Sequence, residues 1–303
     1  MPESTLIIVG PTASGKTRLA AEVARRAGAC ILSADSRQVY RGMDIGTGKD
    51  REEYGNLPVE GLDLLEPGCE FSLWDFLNLA RHVLARCQKT RQPLIVAGGT
   101  GLYVSALAER YQLTENRLSD AQRRWLDGLD HAALRAELLR LKPAQHNLTD
   151  LEEATRTRRA LEIAMAEAAG APVVQFEGPI CVVGLQCAGR ELRQRIRARL
   201  LERVQNGLVE EVARLRQQGV SDEWLMMIGL EYRYVTRFLT GALNRNDMMQ
   251  QLEAAIYEYA RKQNKWYRRM ARNGVEIYWL DAATAAPEQV MSIWEQHDHA
   301  KPL

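Results

Sequence analysis

The chain has 303 residues, of which 46% are hydrophobic and 26% are charged, an ordinary composition for a globular protein with a sizeable core. Its formal net charge is +1, which excludes a global electrostatic attraction to nucleic acid or to a membrane surface, so any basic binding surface must be local. The five cysteines are odd in number and no two are spaced as C-x-x-C, which favours reduced thiols over a disulfide framework or a zinc site.

The N-terminus leads straight into a predicted strand and leaves no room for a signal peptide. No apolar stretch approaches the ~20 residues that a membrane helix needs. We therefore expect a soluble, cytoplasmic protein that does not bind a membrane, and no sequence feature indicates an obligate protein partner.

The first predicted elements are a strand, a glycine-rich loop and a helix. The apolar strand Thr5–Val9 leads into the P-loop pattern G-x-x-x-x-G-K-[ST], and the helix Lys16–Ala27 follows. This order aims unpaired backbone N–H groups and the helix dipole at one point, so we predict a phosphate or diphosphate site there. Lys16 is expected to reach the terminal phosphates and the Thr17 hydroxyl to bind Mg²⁺. The predicted binding residues are Gly10, Pro11, Thr12, Ala13, Ser14, Gly15, Lys16 and Thr17.

The second predicted strand, Ala29–Ser33, places a carboxylate beside this loop. Asp35 follows the strand directly and should emerge at the carboxyl edge of the sheet, where ligands bind in parallel α/β folds. A carboxylate there can bind Mg²⁺ through water or accept a proton from an attacking nucleophile. It can also simply cap a turn, and the spacing alone does not choose among these uses.

A second glycine-rich loop follows the next buried strand. After a short predicted strand at Asp63–Leu65 and a helix at Leu73–Thr90, the strand Pro93–Ala97 runs into Gly98-Gly99-Thr100-Gly101. Glycines let the backbone approach a ligand closely, and Thr100 offers a hydroxyl. A tight strand-to-helix turn is the alternative for one such loop, but three loops on one sheet edge favour a shared site.

The alternation of strands and helices predicts a P-loop NTPase-like parallel α/β sheet flanked by helices. From Tyr111 to Ala171 the strands stop, so we predict a core of residues 1–110 and 176–303 with a helical insertion at 111–175. The later predicted elements are a strand at Ile180–Gln186, a helix at Arg190–Gln218, two further helices at Ser221–Leu239 and Asn246–Asn273, and a strand at Val275–Leu280.

Basic residues cluster at three places in this neutral chain. Six cations and no acidic residue lie between Tyr259 and Asn273, interleaved with Trp266 and Tyr267. Cations with aromatic residues suit contact with an RNA backbone and base stacking, although a solvated helix face is the usual alternative for a run of charge. The clusters are Arg261, Lys262, Lys265, Arg268, Arg269 and Arg272, then Arg156, Arg158 and Arg159, and finally Arg37 beside Asp35.

Three strings together closely resemble the tRNA dimethylallyltransferase family. They are GPTASGKT at Gly10–Thr17, SADSRQVYRGMDIGTGK at Ser33–Lys49 and GGTGLY at Gly98–Tyr103. Shorter matches occur at Arg159–Glu162, Gly207–Val212 and Ala260–Trp266, so the resemblance extends over most of the chain.

The resemblance implies transfer of a dimethylallyl group from dimethylallyl diphosphate to N6 of the adenosine 3′ of the tRNA anticodon, with release of diphosphate. It implies that the P-loop and Mg²⁺ hold the diphosphate of a prenyl donor, that Asp35 is the general base and that Thr100 contacts the adenosine. Either Arg195 or Arg199 is implied as a clamp on the diphosphate, and the insertion as a tRNA contact. The implied tRNA-binding residues are Asp35, Ser36, Arg37, Gln38, Thr100, Arg156, Arg158, Arg159, Arg261, Lys262, Gln263, Lys265 and Trp266.

Three other functions remain open at this point. An adenylate prenyltransferase would share the P-loop and the aspartate but has no need of a basic C-terminal helix. A P-loop small-molecule kinase would transfer phosphate, and the insertion would then be its lid. A nucleotide-gated RNA-binding protein would bind without turnover.

Overall fold

The computed structural model describes residues 3–115, 118–143 and 151–300. In it the chain divides into a core unit, Met1–Arg110 with Phe176–Leu303, and an insertion unit, Tyr111–Gln175. The strands of the described part are β1 Thr5–Val9, β2 Cys30–Ser33, β3 Val59–Glu60, β4 Leu94–Ala97, β5 Leu113–Thr114, β6 Val173–Val174, β7 Ile180–Gln186 and β8 Ile277–Asp281.

Helices cover most of the remaining chain. Those before the insertion are α1 Lys16–Ala27, α2 Arg51–Tyr54, α3 Leu73–Thr90 and α4 Gly101–Ala108. Those of the insertion are α5 Asp120–Asp127, α6 His131–Leu141 and α7 Ala154–Ala168. The later ones are α8 Gly189–Gln205, α9 Leu208–Gln217, α10 Asp222–Ile228, α11 Leu230–Leu239, α12 Arg245–Arg272 and α13 Pro287–Ala300. None of the described helices is long and apolar enough to cross a membrane.

A six-stranded sheet in the order β3-β2-β4-β1-β7-β8 organises the core unit. Every neighbouring pair in it is parallel. The central strands are continuous apolar runs such as Leu6-Ile7-Ile8-Val9, because both of their faces are covered and none of these side chains meets water. The predicted fold class is therefore confirmed. Since β2, β4 and β1 are adjacent and parallel, the loops that follow them meet at one edge.

Two apolar clusters hold helices around this sheet. In the first, Leu19 and Val23 of α1 pack with the fully buried Trp294 of α13. In the second, α8 to α12 pack around the chain that follows β2, with Tyr40 and Met43 buried among them. This second cluster fixes the helices that line the site to the loop that carries Asp35.

The insertion unit is a small helical body with its own core. Leucines of α5, α6 and α7, among them Leu126, Leu138 and Leu161, form its apolar cluster. The strands β5 and β6 pair antiparallel at its two ends. The prediction that strands are absent from Tyr111 to Ala171 is wrong at β5, because its two residues pair with β6.

The predicted strand at Asp63–Leu65 is wrong. The third strand is β3, which begins four residues earlier and ends at Glu60, just before Gly61 with a φ of +88°. Asp63 has a φ of +53°, and its carboxylate binds the buried ammonium of Lys49 at 2.5 Å instead of extending the sheet. A left-handed residue cannot continue a strand, so the apolar residues that follow it only bridge to the loop after β2.

Two predicted helices are each divided by a glycine. The helix predicted at Arg190–Gln218 is α8 and α9, separated at Gly207 with a φ of +101°. The helix predicted at Ser221–Leu239 is α10 and α11, separated by the extended Gly229. Gly207 allows the left-handed turn between α8 and α9. Gly229 allows a close approach instead, because a Cβ there would lie 3.3 Å from side-chain carbons of Arg37 and Tyr232. The helices on both sides of each break pack in the same apolar cluster.

Candidate active site

The P-loop presents an open helix N-terminus to the carboxyl edge of the sheet. Ala13 and Gly15 adopt left-handed conformations with φ of +62° and +84°, which turn the chain from β1 into α1. Helix α1 has no side-chain cap and no acidic residue in its first turn. Its N–H groups and its positive dipole end are therefore available to an anion.

The loops after β2 and β4 are joined backbone to backbone. A Cβ on Gly98 would lie 2.3 Å from the carbonyl of Ala34, so only glycine allows this approach. The N–H of Thr100 donates to the Ala34 carbonyl at 3.1 Å. The Thr100 hydroxyl accepts from the N–H of Ser36 at 2.9 Å. Thr100 is thus fixed beside the chain that carries Asp35.

Asp35 and Lys16 face the same point above Gly99. One carboxylate oxygen of Asp35, Oδ1, accepts from the N–H of Arg37 at 3.0 Å, which holds the side chain in a turn. A Cβ on Gly99 would lie 3.5 Å from the other oxygen, Oδ2, and 3.9 Å from Lys16 Nζ. The point above Gly99 is therefore bordered by the Asp35 carboxylate, by the Lys16 side-chain nitrogen and by the Gln263 amide, whose Nε2 would lie 2.8 Å from the same Cβ.

Arg199 and Arg195, which the sequence left as alternatives, have different surroundings. Arg199 lines the same cavity as Lys16 and Asp35 and donates to Thr12 Oγ1 at 3.4 Å. Arg195 instead pairs with Glu191 of its own helix at 2.6 Å and donates to the carbonyls of Ser14 and Ala282, each at 3.5 Å. The geometry favours Arg199 over Arg195 as the arginine that contacts the predicted diphosphate.

Arg203, which the sequence did not indicate as a site residue, lines the same cavity as Arg199 and Arg37. It is one helical turn beyond Arg199 on α8 and pairs with Glu231 at 3.2 Å. Asp50 pairs with Arg199 at 2.6 Å, so each arginine has a carboxylate partner. The spacing of four residues between the two arginines was the available signal, since it places them on one helix face.

Burial and neighbouring charge weaken the basicity of the site's cations. Burial in the cavity and the nearby Arg199 guanidinium lower the pKa of Lys16 to about 8. Burial and Arg203 also lower the pKa of Arg199. Burial is the larger cause of both pKa shifts and the neighbouring like charge the second. Cations gathered in one buried place are an arrangement that an anionic ligand stabilises.

Several of the predicted tRNA-binding residues hold the site's loops together. Gln38 is buried, accepts from Ser33 Oγ at 2.7 Å and donates to the Gly48 carbonyl at 2.8 Å. Arg37 donates to the carbonyl of Ile228 and lies over the ring of Tyr259. These side chains have protein partners and shape the cavity.

Gln263 and Trp266 also point inward from α12. Both ends of the buried Gln263 amide are engaged, since Oε1 accepts from the Thr12 N–H and Nε2 donates to the Gly99 carbonyl, each at 2.8 Å. Trp266 packs against Gly101 and donates from Nε1 to Ser105 Oγ at 2.7 Å. Their tRNA-binding role stays a prediction.

The opposite side of α12 carries exposed cations, which we call the basic face: Arg261, Lys262, Lys265, Arg268 and Arg272. Arg261 pairs with Glu258, whereas among the described residues the other four have no acidic partner within 4.0 Å. Tyr257 and Trp279 line a groove beside this face. The prediction from sequence that Tyr267 stacks on a base is wrong, because this side chain is completely buried.

The second basic cluster lies on α7 in the insertion unit, and acidic neighbours offset its charge. Arg156 pairs with Glu153. Arg158 and Arg159 both pair with Glu162. This cluster therefore carries less uncompensated charge than the basic face.

The residues around Thr17 fit a hard divalent cation. Thr17 is at the start of α1 and lines the same cavity as Asp35, and it also lines the adjoining cavity that contains Asp50. Hydroxyl and carboxylate oxygens are the ligands that Mg²⁺ prefers, usually together with oxygens of a phosphate substrate.

Comparison with known proteins identifies one family over most of the chain and a second, shorter match at its start. The model of the IPP transferase family matches residues 38–270, and that of the isopentenyl transferase family matches residues 3–55. A tRNA dimethylallyltransferase 1 of Hahella chejuensis is 46% identical over 289 residues, covering 95% of each chain. A tRNA dimethylallyltransferase 2 of Syntrophotalea carbinolica is 47% identical over 281 residues, covering 92% of this chain and 94% of that one.

Solved structures agree with this assignment. The tRNA isopentenylpyrophosphate transferase of Bacillus halodurans superposes with a TM-score of 0.71 at 29% identity, covering 98% of this chain and 97% of that chain. A eukaryotic dimethylallyltransferase acting on tRNA has the same fold, with a TM-score of 0.81 at 20% identity over 99% of this chain and 81% of that one. The chain belongs to the IPP transferase family.

Proposed function

We propose that this protein transfers a dimethylallyl group from dimethylallyl diphosphate to N6 of the adenosine 3′ of the anticodon in tRNA, releasing diphosphate. The observation that carries this proposal is the convergence of Lys16, Asp35 and Thr100 around Gly99 at the edge of the sheet. The relatives named as tRNA dimethylallyltransferases support the tRNA substrate.

The chemistry follows from which groups face each other. The N6 nitrogen of the adenosine forms a bond to C1 of the dimethylallyl group, and the C1–O bond breaks with its electron pair leaving on the diphosphate. Asp35 Oδ2 takes the proton that N6 loses. Lys16 and Arg199 stabilise the charge that develops on the departing oxygens, and the Thr100 hydroxyl orients the adenosine.

Mg²⁺ fits the donor end of the site. The Thr17 hydroxyl would hold it together with oxygens of the diphosphate. When bound, Mg²⁺ supplies positive charge that neutralises the leaving group.

The basic face of α12 favours tRNA over free adenylate as the acceptor. Within the described part of the chain, four of its cations have no acidic partner within 4.0 Å: Lys262, Lys265, Arg268 and Arg272. Four such cations suit the several phosphates of an RNA backbone better than the single phosphate of a mononucleotide. An anticodon-loop base must also leave its stack to reach Asp35, at a cost of a few kcal/mol that contacts to the surrounding RNA backbone offset.

The test is an incubation of the protein with Mg²⁺, radiolabelled dimethylallyl diphosphate and unmodified tRNA, beside a tube in which AMP replaces tRNA. We expect label on an anticodon-loop adenosine. Label in AMP alone would indicate an adenylate prenyltransferase. Absence of label from both tubes, together with ATP-dependent phosphate transfer in a separate assay, would indicate a kinase.

Replacement of Asp35 separates catalysis from binding. In Asp35→Asn the shape of the side chain is kept but the base is lost, so we expect kcat to fall by about 10²- to 10⁴-fold with little change in tRNA affinity. Single-turnover prenylation and a filter-binding assay measure the two quantities. An unchanged kcat would contradict the assignment of Asp35 as the base.

A further inference from the structure

Gln263 connects the two sides of the site. It is 5% exposed and lies in the middle of α12. A glutamine amide offers an acceptor and a donor, and here the acceptor binds the Thr12 N–H of the P-loop while the donor binds the Gly99 carbonyl after β4, both at 2.8 Å. One side chain thus connects the P-loop, which is proposed to hold the prenyl diphosphate, with the Gly99–Thr100 loop beside Asp35.

The neighbours of Gln263 on α12 contact the same two loops separately. Tyr259, one turn earlier, donates to the Gly99 carbonyl at 3.5 Å, and Tyr267, one turn later, donates to the Gly10 carbonyl at 3.5 Å. Residues four apart share a helix face, so α12 presents a row of polar atoms to the loops. Gln263 lies between the two tyrosines and reaches both loops.

The distance between these loops decides the geometry of the reaction. The P-loop is proposed to hold the diphosphate, and the Gly99–Thr100 loop lies beside Asp35, where the adenosine is proposed to react. Reacting atoms must approach to about 3–3.5 Å with the right alignment, and a misplacement of about 1 Å can cost about 100-fold in rate. A contact that fixes the separation of the loops therefore acts on the rate more than on the binding of either substrate.

We infer that Gln263 is a positioning residue that sets the spacing between the diphosphate loop and the acceptor loop, and hence kcat. This inference rests on the proposed function. It differs from the role of a tRNA contact, because both ends of the amide are used within the protein.

Gln263→Met tests it, since methionine fills a similar volume without either hydrogen bond. We expect kcat under saturating substrates to fall by about 10- to 100-fold. The dissociation constants for dimethylallyl diphosphate without tRNA, and for tRNA without donor, should change less than about threefold, since the other contacts of each substrate remain. Gln250→Met, the same substitution at an exposed position of α12, is the matched control and should leave all three quantities unchanged.

Gln263→Glu gives a second variant should the methionine variant fold poorly. The carboxylate keeps the acceptor for the Thr12 N–H, but when ionised it turns a second acceptor towards the Gly99 carbonyl, so its kcat should fall at least as far as that of Gln263→Met. An unchanged kcat with weaker tRNA binding would overturn the inference and make Gln263 a tRNA contact. Weaker donor binding at unchanged kcat would overturn it in favour of simple support of the P-loop. Absence of tRNA prenylation by the wild type would instead overturn the proposed function.

Discussion

The charge of Lys16 depends on pH in the mildly alkaline range. Its pKa is lowered to about 8 by burial and by Arg199, so the side chain is an ammonium below that pH and neutral above it. The affinity for dimethylallyl diphosphate, measured calorimetrically without tRNA, should fall by roughly tenfold between pH 8 and pH 9.5. The donor's own phosphate groups have lost their protons by then, because their pKa is about 6.

Lys16→Arg provides the control for this profile. A guanidinium stays charged throughout the range, so the affinity of the variant, whatever its absolute value, should not vary with pH. A flat profile for the wild type would mean that Lys16 does not bind the diphosphate as an ammonium.

Arg199 and Arg195 can be distinguished by the same binding assay. Arg199→Ala removes a cation from the cavity and leaves Asp50 only the longer contact with Arg203 at 4.0 Å, so we expect the dissociation constant of the donor to rise by about 10- to 100-fold. Arg195→Ala should change it less than about threefold, because Arg195 is paired with Glu191 on its own helix. A larger effect of Arg195→Ala would reverse the assignment.

For individual residues, the sequence predicts the reactive groups better than it predicts the side chains that hold them in position. The P-loop, Asp35 and Thr100 follow directly from the ends of buried strands, where the chain has little freedom. The pairing of Arg203 with Glu231 and the two bonds of Gln263 depend on how α8, α11 and α12 pack together, which no local pattern specifies.

Among the elements, α9 fixes the loop that follows Asp35 through a single buried carboxylate. Glu211 accepts from three successive backbone N–H groups, those of Asp44, Ile45 and Gly46, and from the Tyr232 hydroxyl. Glu211→Gln replaces one accepting oxygen by an N–H₂ group and leaves donors facing a donor. Because each buried donor without a partner costs about 1–3 kcal/mol, the free energy of unfolding in urea should fall by roughly 2 kcal/mol or more.

The adjacent Glu210 is the matched control. It is exposed on the same helix, so Glu210→Gln should change the free energy of unfolding by less than about 0.5 kcal/mol. Equal effects of the two substitutions would mean that the buried carboxylate does not hold the loop.

Element boundaries are predictable where a single physical signal dominates. Helix α3 has the predicted limits because Ser72 and Asp75 form a capping box at its start. The strand predicted at Asp63–Leu65 does not form, because the carboxylate of Asp63 binds the ammonium of the buried Lys49. This contact with a residue far along the chain outweighs the local apolar pattern. The glycines at 207 and 229 divide predicted helices, and the helices on both sides of each break pack in the same apolar cluster.

For the whole molecule, charge is concentrated on the basic face although the net charge is +1. We expect the double variant Lys265→Ala/Arg268→Ala to bind tRNA more weakly, and the slope of log affinity against log salt concentration to become shallower by about 1.5, because two phosphate contacts are lost. Filter binding across a salt series measures this slope.

Arg81→Ala/Lys89→Ala is the corresponding control, because it removes two exposed cations from α3. It should leave the slope unchanged. Equal slopes for the two double variants would show that the basic face is not where tRNA docks.

The fold class of the whole molecule is predictable because alternating buried strands and helices allow few arrangements. What the sequence does not reveal is which cations are free to act. The arginines of α7 and those of α12 form similar clusters in the sequence. Only the structure shows that Glu153 and Glu162 form ion pairs with the arginines of α7 and so offset their charge.

The paired ends of the insertion unit have a practical consequence. Leu113 lies opposite Val174 and Thr114 opposite Val173, so the two ends of the insertion unit lie one inter-strand spacing apart, about 5 Å. We therefore expect that a bridge of two or three residues can replace residues 113–174. We also expect that the segment can be exchanged between relatives, in which case a change in the choice of RNA would be assigned to the exchanged segment.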